Sequence, residues 1–104
     1  MSTHENDRRS IIASTTGGVV TDEVGAVTGE LELATRLEAG VLYVSTRYAG
    51  SDEWYNVTGS PAPLGVGHST PDDLHERVVE HLTTPGAVVA GNEEPTSLTG
   101  FSPA

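Results

Sequence analysis

Residues 41–58, "VLYVSTRYAGSDEWYNVT", constrain the fold of this chain more than any other stretch. Two runs rich in β-branched and aromatic residues (41–48 and 53–58) flank the turn-forming "AGSD", a pattern that predicts an antiparallel hairpin. A turn centred on Gly50-Ser51 sets Tyr48 opposite Glu53, Arg47 opposite Trp54 and Thr46 opposite Tyr55. Side chains alternate across a strand, so Leu42, Val44, Thr46, Tyr48, Tyr55 and Val57 share one face. Val41, Tyr43, Ser45, Arg47, Trp54, Asn56 and Thr58 share the other. The first face is the more apolar and is assigned to the core. The second carries Tyr43, Arg47 and Trp54, with Arg47 placed to stack on the indole.

The stretch "STPDDLHERVVEHLTTPG" marks a helix over about 71–83. Thr70 is a natural N-cap, Pro71 suits the first turn, and Asp72 and Asp73 complement the positive end of the helix dipole. Leu74, Val78 and Leu82, with Val79, form an apolar stripe at helical spacing, and Pro85-Gly86 ends it. "GAVVAG" afterwards is a candidate last strand.

Residues 29–40, "GELELATRLEAG", satisfy two templates. Alternation puts Leu31, Leu33, Thr35 and Leu37 on one side of a strand. Composition, the Glu32/Arg36 spacing and Gly40 at a left-handed cap position favour a helix over 30–39 instead. As a strand with a two-residue turn at Ala39-Gly40, the segment adds its leucines to the Leu42/Val44 face. A three-residue turn sends them over Tyr43 and Trp54.

Elsewhere the signals are shorter. "SIIASTTGGVVTDEV" holds two β-branched clusters around Gly17-Gly18, read as a hairpin or two edge segments. "GSPAPLGVG" carries two prolines and reads as loop or edge. The expected architecture is α+β: a small antiparallel sheet around the 41–48/53–58 hairpin, with one or two helices (71–83, and 30–39) on one face. Residues 1–9 and 91–104 are polar or rich in Gly, Pro and Ser without periodicity, and read as disordered ends of a single domain spanning 10–90.

Composition excludes more than it identifies. The longest apolar run is the four residues of "AVVA", too short to cross a membrane. Cysteine is absent, which removes disulfides and thiolate chemistry, and "MSTHENDRRS" lacks the apolar core of a secretory signal. A cytoplasmic location is expected, and the "NVT" sequon at Asn56 reads as chance. Fifteen acidic residues face five arginines and no lysine, for a net charge of −10. Nucleic acid and anionic lipid are therefore disfavoured partners. The lack of lysine beside abundant Gly, Ala and Val suggests GC-rich, bacterial-like coding.

No motif assigns a chemistry. Gly65 and Gly67 before Pro71 lack the lysine and spacing of a phosphate loop, and Asp72 and Asp73 occupy the turn a phosphate needs. His68, His75 and His81 lie near the helix, but His75 and His81 are six apart, not the four that shares a helical face. No nucleophile elbow joins the serines and histidines. No cofactor and no metal site are expected. These residues point to a small acidic, non-enzymatic protein–protein interaction module. It is anchored by Tyr43, Arg47 and Trp54, and either pairs with itself or binds a basic partner, as an inhibitor of a basic target does. The alternative is a small-ligand-binding protein or enzyme with its site between the hairpin and the 65–69 loop, using His68 and the tyrosines.

Overall fold

A computed structural model describes residues 7–64, 70–85, 88–89 and 91–101 of the chain. Its elements run β1 (Arg8–Ala13), β2 (Val19–Thr21), β3 (Gly25–Val27), β4 (Glu30–Glu38) and β5 (Val41–Tyr48), then β6 (Tyr55–Asn56), β7 (Ala62–Pro63), α1 (Pro71–Thr83), β8 (Val88–Val89) and β9 (Asn92–Glu93). The fold is mixed α+β, with a small antiparallel sheet and, among the described residues, one helix.

The segment favoured as a helix over 30–39 is strand β4, the longest in the sheet. Two local preferences lose to one non-local fit. As a strand, the segment buries Leu31, Leu33 and Thr35 on one face, between β1 on one side and β5 on the other. A lone helix there has no comparable partner for these side chains. The turn decides the register. Ala39 and Gly40 both take positive φ, 51° and 78°, the pair of left-handed residues whose twist matches a two-residue hairpin. Glu38 therefore pairs with Val41, Thr35 with Val44 and Leu33 with Thr46, so the leucines join the Leu42/Val44 face. Gly40 serves the turn and not a helix cap.

β1, β4, β5 and β6 neighbour one another in that order, and β7 pairs with the opposite end of β5. Thr46 lies opposite Tyr55, as the hairpin register predicts, but the β5–β6 ladder is limited to Ser45↔Asn56 and Thr46↔Tyr55. Tyr48 and Tyr55 are not core residues. Tyr48 is 43% exposed, past the end of the β5–β6 ladder although opposite buried Leu31 on β4, and Tyr55 is half-buried with its hydroxyl donating to Glu53 Oε1 at 2.8 Å. The β-branched clusters around Gly17-Gly18 do not pair with each other. The first lies on β1, which pairs with β4, and the second lies on β2, which pairs with β3.

Helix α1 forms as its caps predict, with Thr70 Oγ1 accepting from the Asp73 N–H at 3.1 Å. It lays Leu74, Val78 and Leu82, all nearly inaccessible, over the sheet. The core cluster joins Val78 and Leu82 to Ile12, Val19, Val27, Leu31, Leu33, Leu42, Val44 and Val57. Both ends of the chain contribute more than expected. Strand β1 starts at Arg8, and the supposed C-terminal tail supplies buried Thr96 and Leu98. Thr96 exchanges backbone hydrogen bonds with Gly18 and Val20, and the Leu98 N–H donates to Thr58 O. Gly17 lies against the Glu93 and Glu94 carbonyls, where an added Cβ would approach to 2.6 Å. A glycine is required there so that the C-terminal segment can close over β2. Val88–Val89 pairs with β9 in a separate ribbon and does not extend the main sheet.

Candidate interaction face

The helix covers one side of the sheet, and the other side holds the residues singled out in the sequence. Even-numbered positions of β4 and odd-numbered positions of β1 and β5 point there. Glu32 is the cross-strand partner of Arg47, and Arg36 of Tyr43. Trp54 immediately precedes β6, and its indole lies 4.5 Å from the Arg47 guanidinium carbon, which stacks over the ring. The expected Arg47–Trp54 pair is present.

Tyr43 does not reach Trp54. It is stacked instead by Arg36, 4.6 Å from ring centroid to guanidinium carbon. The face thus carries two arginine–aromatic pairs, with Ala34 and Ser45 paired between them. Arg9 of β1 adds a second guanidinium over Trp54, at 5.3 Å. Glu32 ties this cluster together. Its Oε1 accepts from Arg47 Nε at 2.7 Å and lies 2.6 Å from Arg47 Nη2, and its Oε2 lies 3.9 Å from Arg9 Nη1. Glu32 and Arg47 side chains are only about a fifth exposed (17% and 21%), so water screens this pair less than most surface ion pairs. Arg36 Nε lies 3.1 Å from Glu38 Oε2, as a close ion pair without hydrogen-bond alignment.

Arg9, Glu32 and Arg36 are the members of this face that inspection of the hairpin alone misses. Glu32 and Arg36 follow once 30–38 is read as a strand with a two-residue turn, because the register then puts them opposite Arg47 and Tyr43. Arg9 depends on a non-local pairing of β1 with β4, for which nothing in the local sequence gives a register. A shallow hollow of about 200 Å³ opens on this face beside Ala34, Arg36, Tyr43, Ser45 and Asn56. It is smaller than the ~300–1,000 Å³ typical of ligand pockets. His68 and the 65–69 loop, invoked for a ligand site, lie outside the described residues.

Carboxylates outnumber cations on and around the open face. Arg9, Arg36 and Arg47 stand among Glu30, Glu32 and Glu38, and Asp52 and Glu53 are exposed beside Trp54. Three of the chain's five cations therefore gather here without making a basic stripe of the kind that phosphate backbones need.

The covered side contains the other arrangement with chemical content. His75 of α1 is buried, and its Nε2 lies 2.7 Å from Ser10 Oγ while Nδ1 lies 2.8 Å from Thr35 Oγ1. Burial lowers the pKa of His75 below its usual value of 6.5. The Arg8 cation lowers it further, while Asp72 and Glu76 act in the opposite sense. In the neutral ring one nitrogen donates and the other accepts, and the two hydroxyls satisfy both. A serine beside a histidine is the start of a nucleophilic site, but the third partner is a threonine hydroxyl, which cannot stabilise an imidazolium as a carboxylate does. The arrangement clamps α1 to β1 and β4. His81 is engaged separately, with Nε2 2.9 Å from Ser97 O and its ring edge-on to Phe101. Among the described residues no three His, Cys, Asp or Glu side chains converge as a metal site requires.

Comparison with known protein families, with characterised proteins and with solved structures gives no match to this chain.

Proposed function

We propose that this chain is a non-enzymatic protein-binding module that docks a basic protein partner on its open sheet face. The observation that supports this most directly is the placement of Trp54 and Tyr43. In a chain with only five aromatic side chains, both are half-exposed on the side opposite the helix, each under an arginine. Rings that fold into a core contribute to stability by leaving water, whereas rings kept at the surface retain apolar area for a partner to remove. Trp, Tyr and Arg are the residue types that dominate binding hot spots. Around them the exposed carboxylates of Glu30, Glu38, Asp52 and Glu53 form an acidic rim, and the net charge of −10 steers a cationic surface toward it.

The test is cross-linking from a photoreactive residue at position 43 to identify the bound protein, followed by titration of the purified pair. Trp54→Ala is expected to weaken binding about 10-fold or more, and affinity is expected to fall as salt rises. A partner held equally well by Trp54→Ala and Tyr43→Ala chains overturns the reading. Saturable binding of a small molecule in the hollow beside Tyr43, unaffected by Trp54→Ala, favours the ligand-binding alternative instead.

A further inference from the structure

We propose that two copies of this chain join through the outer edge of β1, antiparallel and centred on Ile11, so that their sheets become one. The phase of the β ladder supplies the first reason. Ser14 N–H donates to Gly29 O, and Ala49 N–H donates to Glu30 O. In an antiparallel ladder each residue turns both backbone groups to the same side, and successive residues alternate. Even-numbered residues of β1 therefore bond inward to β4. Arg9, Ile11 and Ala13 turn their N–H and C=O groups outward, and among the described residues nothing pairs with them. Such a row is a template for another strand.

Side chains supply the second reason. The same three residues carry their side chains on the open face, and Ile11 is 57% exposed. A two-fold interface must be self-complementary. Centring the pair on Ile11 brings the two isoleucines opposite each other and sets Arg9 of each copy opposite Ala13 of the other. Ala13 has Glu30 as its partner on β4. In one copy the Arg9 guanidinium lies 5.3 Å from the Trp54 ring and 3.9 Å from Glu32 Oε2; on pairing it turns outward across a bare methyl toward the exposed Glu30 carboxylate, and symmetry repeats this pair at the other end. Sliding the register by two residues in either direction leaves one outward pair unused within the strand or removes this charge match. The strip is basic at one end and acidic at the other, so it fits a reversed copy of itself and repels a parallel one.

The net charge of −10 on each copy opposes association, which makes the dimer tighten as salt screens the repulsion. This is opposite in sign to the response expected for a basic partner. The dimer goes beyond the partner reading and does not depend on it, because Trp54→Ala leaves the β1 edge intact.

Absence of native cysteine makes cross-linking a clean test. Directly opposed, hydrogen-bonded residues sit ~5.5 Å apart between Cα atoms, within the ~4.4–6.8 Å that a disulfide spans. Ile11→Cys is expected to form a covalent dimer under mild oxidation. Ala13→Cys alone is not, since its copies lie more than ~13 Å apart, but it should cross-link with Arg9→Cys when the two chains are mixed. Ile11→Pro removes an outward donor without touching the β1–β4 ladder, and should sediment as a folded monomer where the unmodified chain sediments as a dimer. Equal cross-linking by Ile11→Cys and Ala13→Cys overturns the proposal. So does an unmodified chain that stays monomeric in about 0.5 M salt, where the Debye length is only a few ångströms, or a dimer that survives Ile11→Pro.

Discussion

Glu32 is the residue on which the open face depends. It pairs with the two guanidinium groups that lie over the Trp54 indole. Replacing it by alanine leaves Arg47 partly buried without its acceptor, and the expected loss is about 1–3 kcal/mol of folding stability in urea denaturation. The same substitution should raise acrylamide quenching of Trp54, the sole tryptophan, because Arg47 is no longer held over the ring. His75 governs the opposite side. Its pKa is depressed in the folded chain, so the unfolded chain binds the proton more readily once pH falls below about 6.5. Stability must therefore decline as pH drops through that value toward the folded-state pKa, and is restored as pH rises. Melting temperature measured from about pH 7.5 down to about pH 5.5 should fall, and His75→Gln should flatten the fall. A slope unchanged in the glutamine variant assigns the effect to other groups.

At the level of elements, the β4–β5 hairpin shows a local conflict resolved by a turn. Ala39 adopts φ of 51°, a left-handed conformation that costs an ordinary residue roughly 1–2 kcal/mol. Asparagine tolerates it better and Asn-Gly is the favoured pair in such turns, so Ala39→Asn is expected to stabilise the chain by up to about 1 kcal/mol, a part of that cost. Ala39→Val should destabilise it, because a β-branched residue fits that region poorly. Both are read from urea midpoints. Helix α1, by contrast, has no such conflict. Its cap, first-turn acids and apolar stripe agree, and that agreement is why it could be placed from sequence with its limits nearly correct.

For the molecule as a whole, the decisive feature is closure by the C-terminal segment. Leu98 is 3% exposed and joins the same cluster as Val19, Val57 and Leu82. Leu98→Ala should cost about 2–5 kcal/mol, the range for a buried leucine, and thermal unfolding is the measurement. A cost near zero would mean that the segment behaves as the mobile tail its composition suggests. Burial of a single leucine among Gly, Pro and Ser is invisible to composition, since neither period nor run length marks it. The same holds for Thr96, whose hydroxyl donates to Leu82 O at 3.0 Å from the far end of the chain.

Local physics therefore accounts for much of this protein before any tertiary contact is known. The helix limits follow from capping and dipole terms within one turn. The Thr46–Tyr55 register and the Arg47–Trp54 pair follow from strand alternation within one hairpin. Net charge and the absence of cysteine are set by composition alone. What the tertiary structure decided has sequence-distant causes. Residues 30–38 became a strand because β1 and β5 offered edges on both sides, a gain that outweighs helix propensities of at most about 0.7 kcal/mol per residue. Tyr48 fell outside the core because the β5–β6 ladder stops at Thr46, although Leu31 opposite it on β4 is buried. Arg9 came over Trp54 because β1 pairs with β4 across a long separation in sequence, and no local signal sets that register. The open edge of β1 is a product of the same pairing: its alternation was already written in "RRSIIA", but which groups face outward was settled only when β4 took the other side.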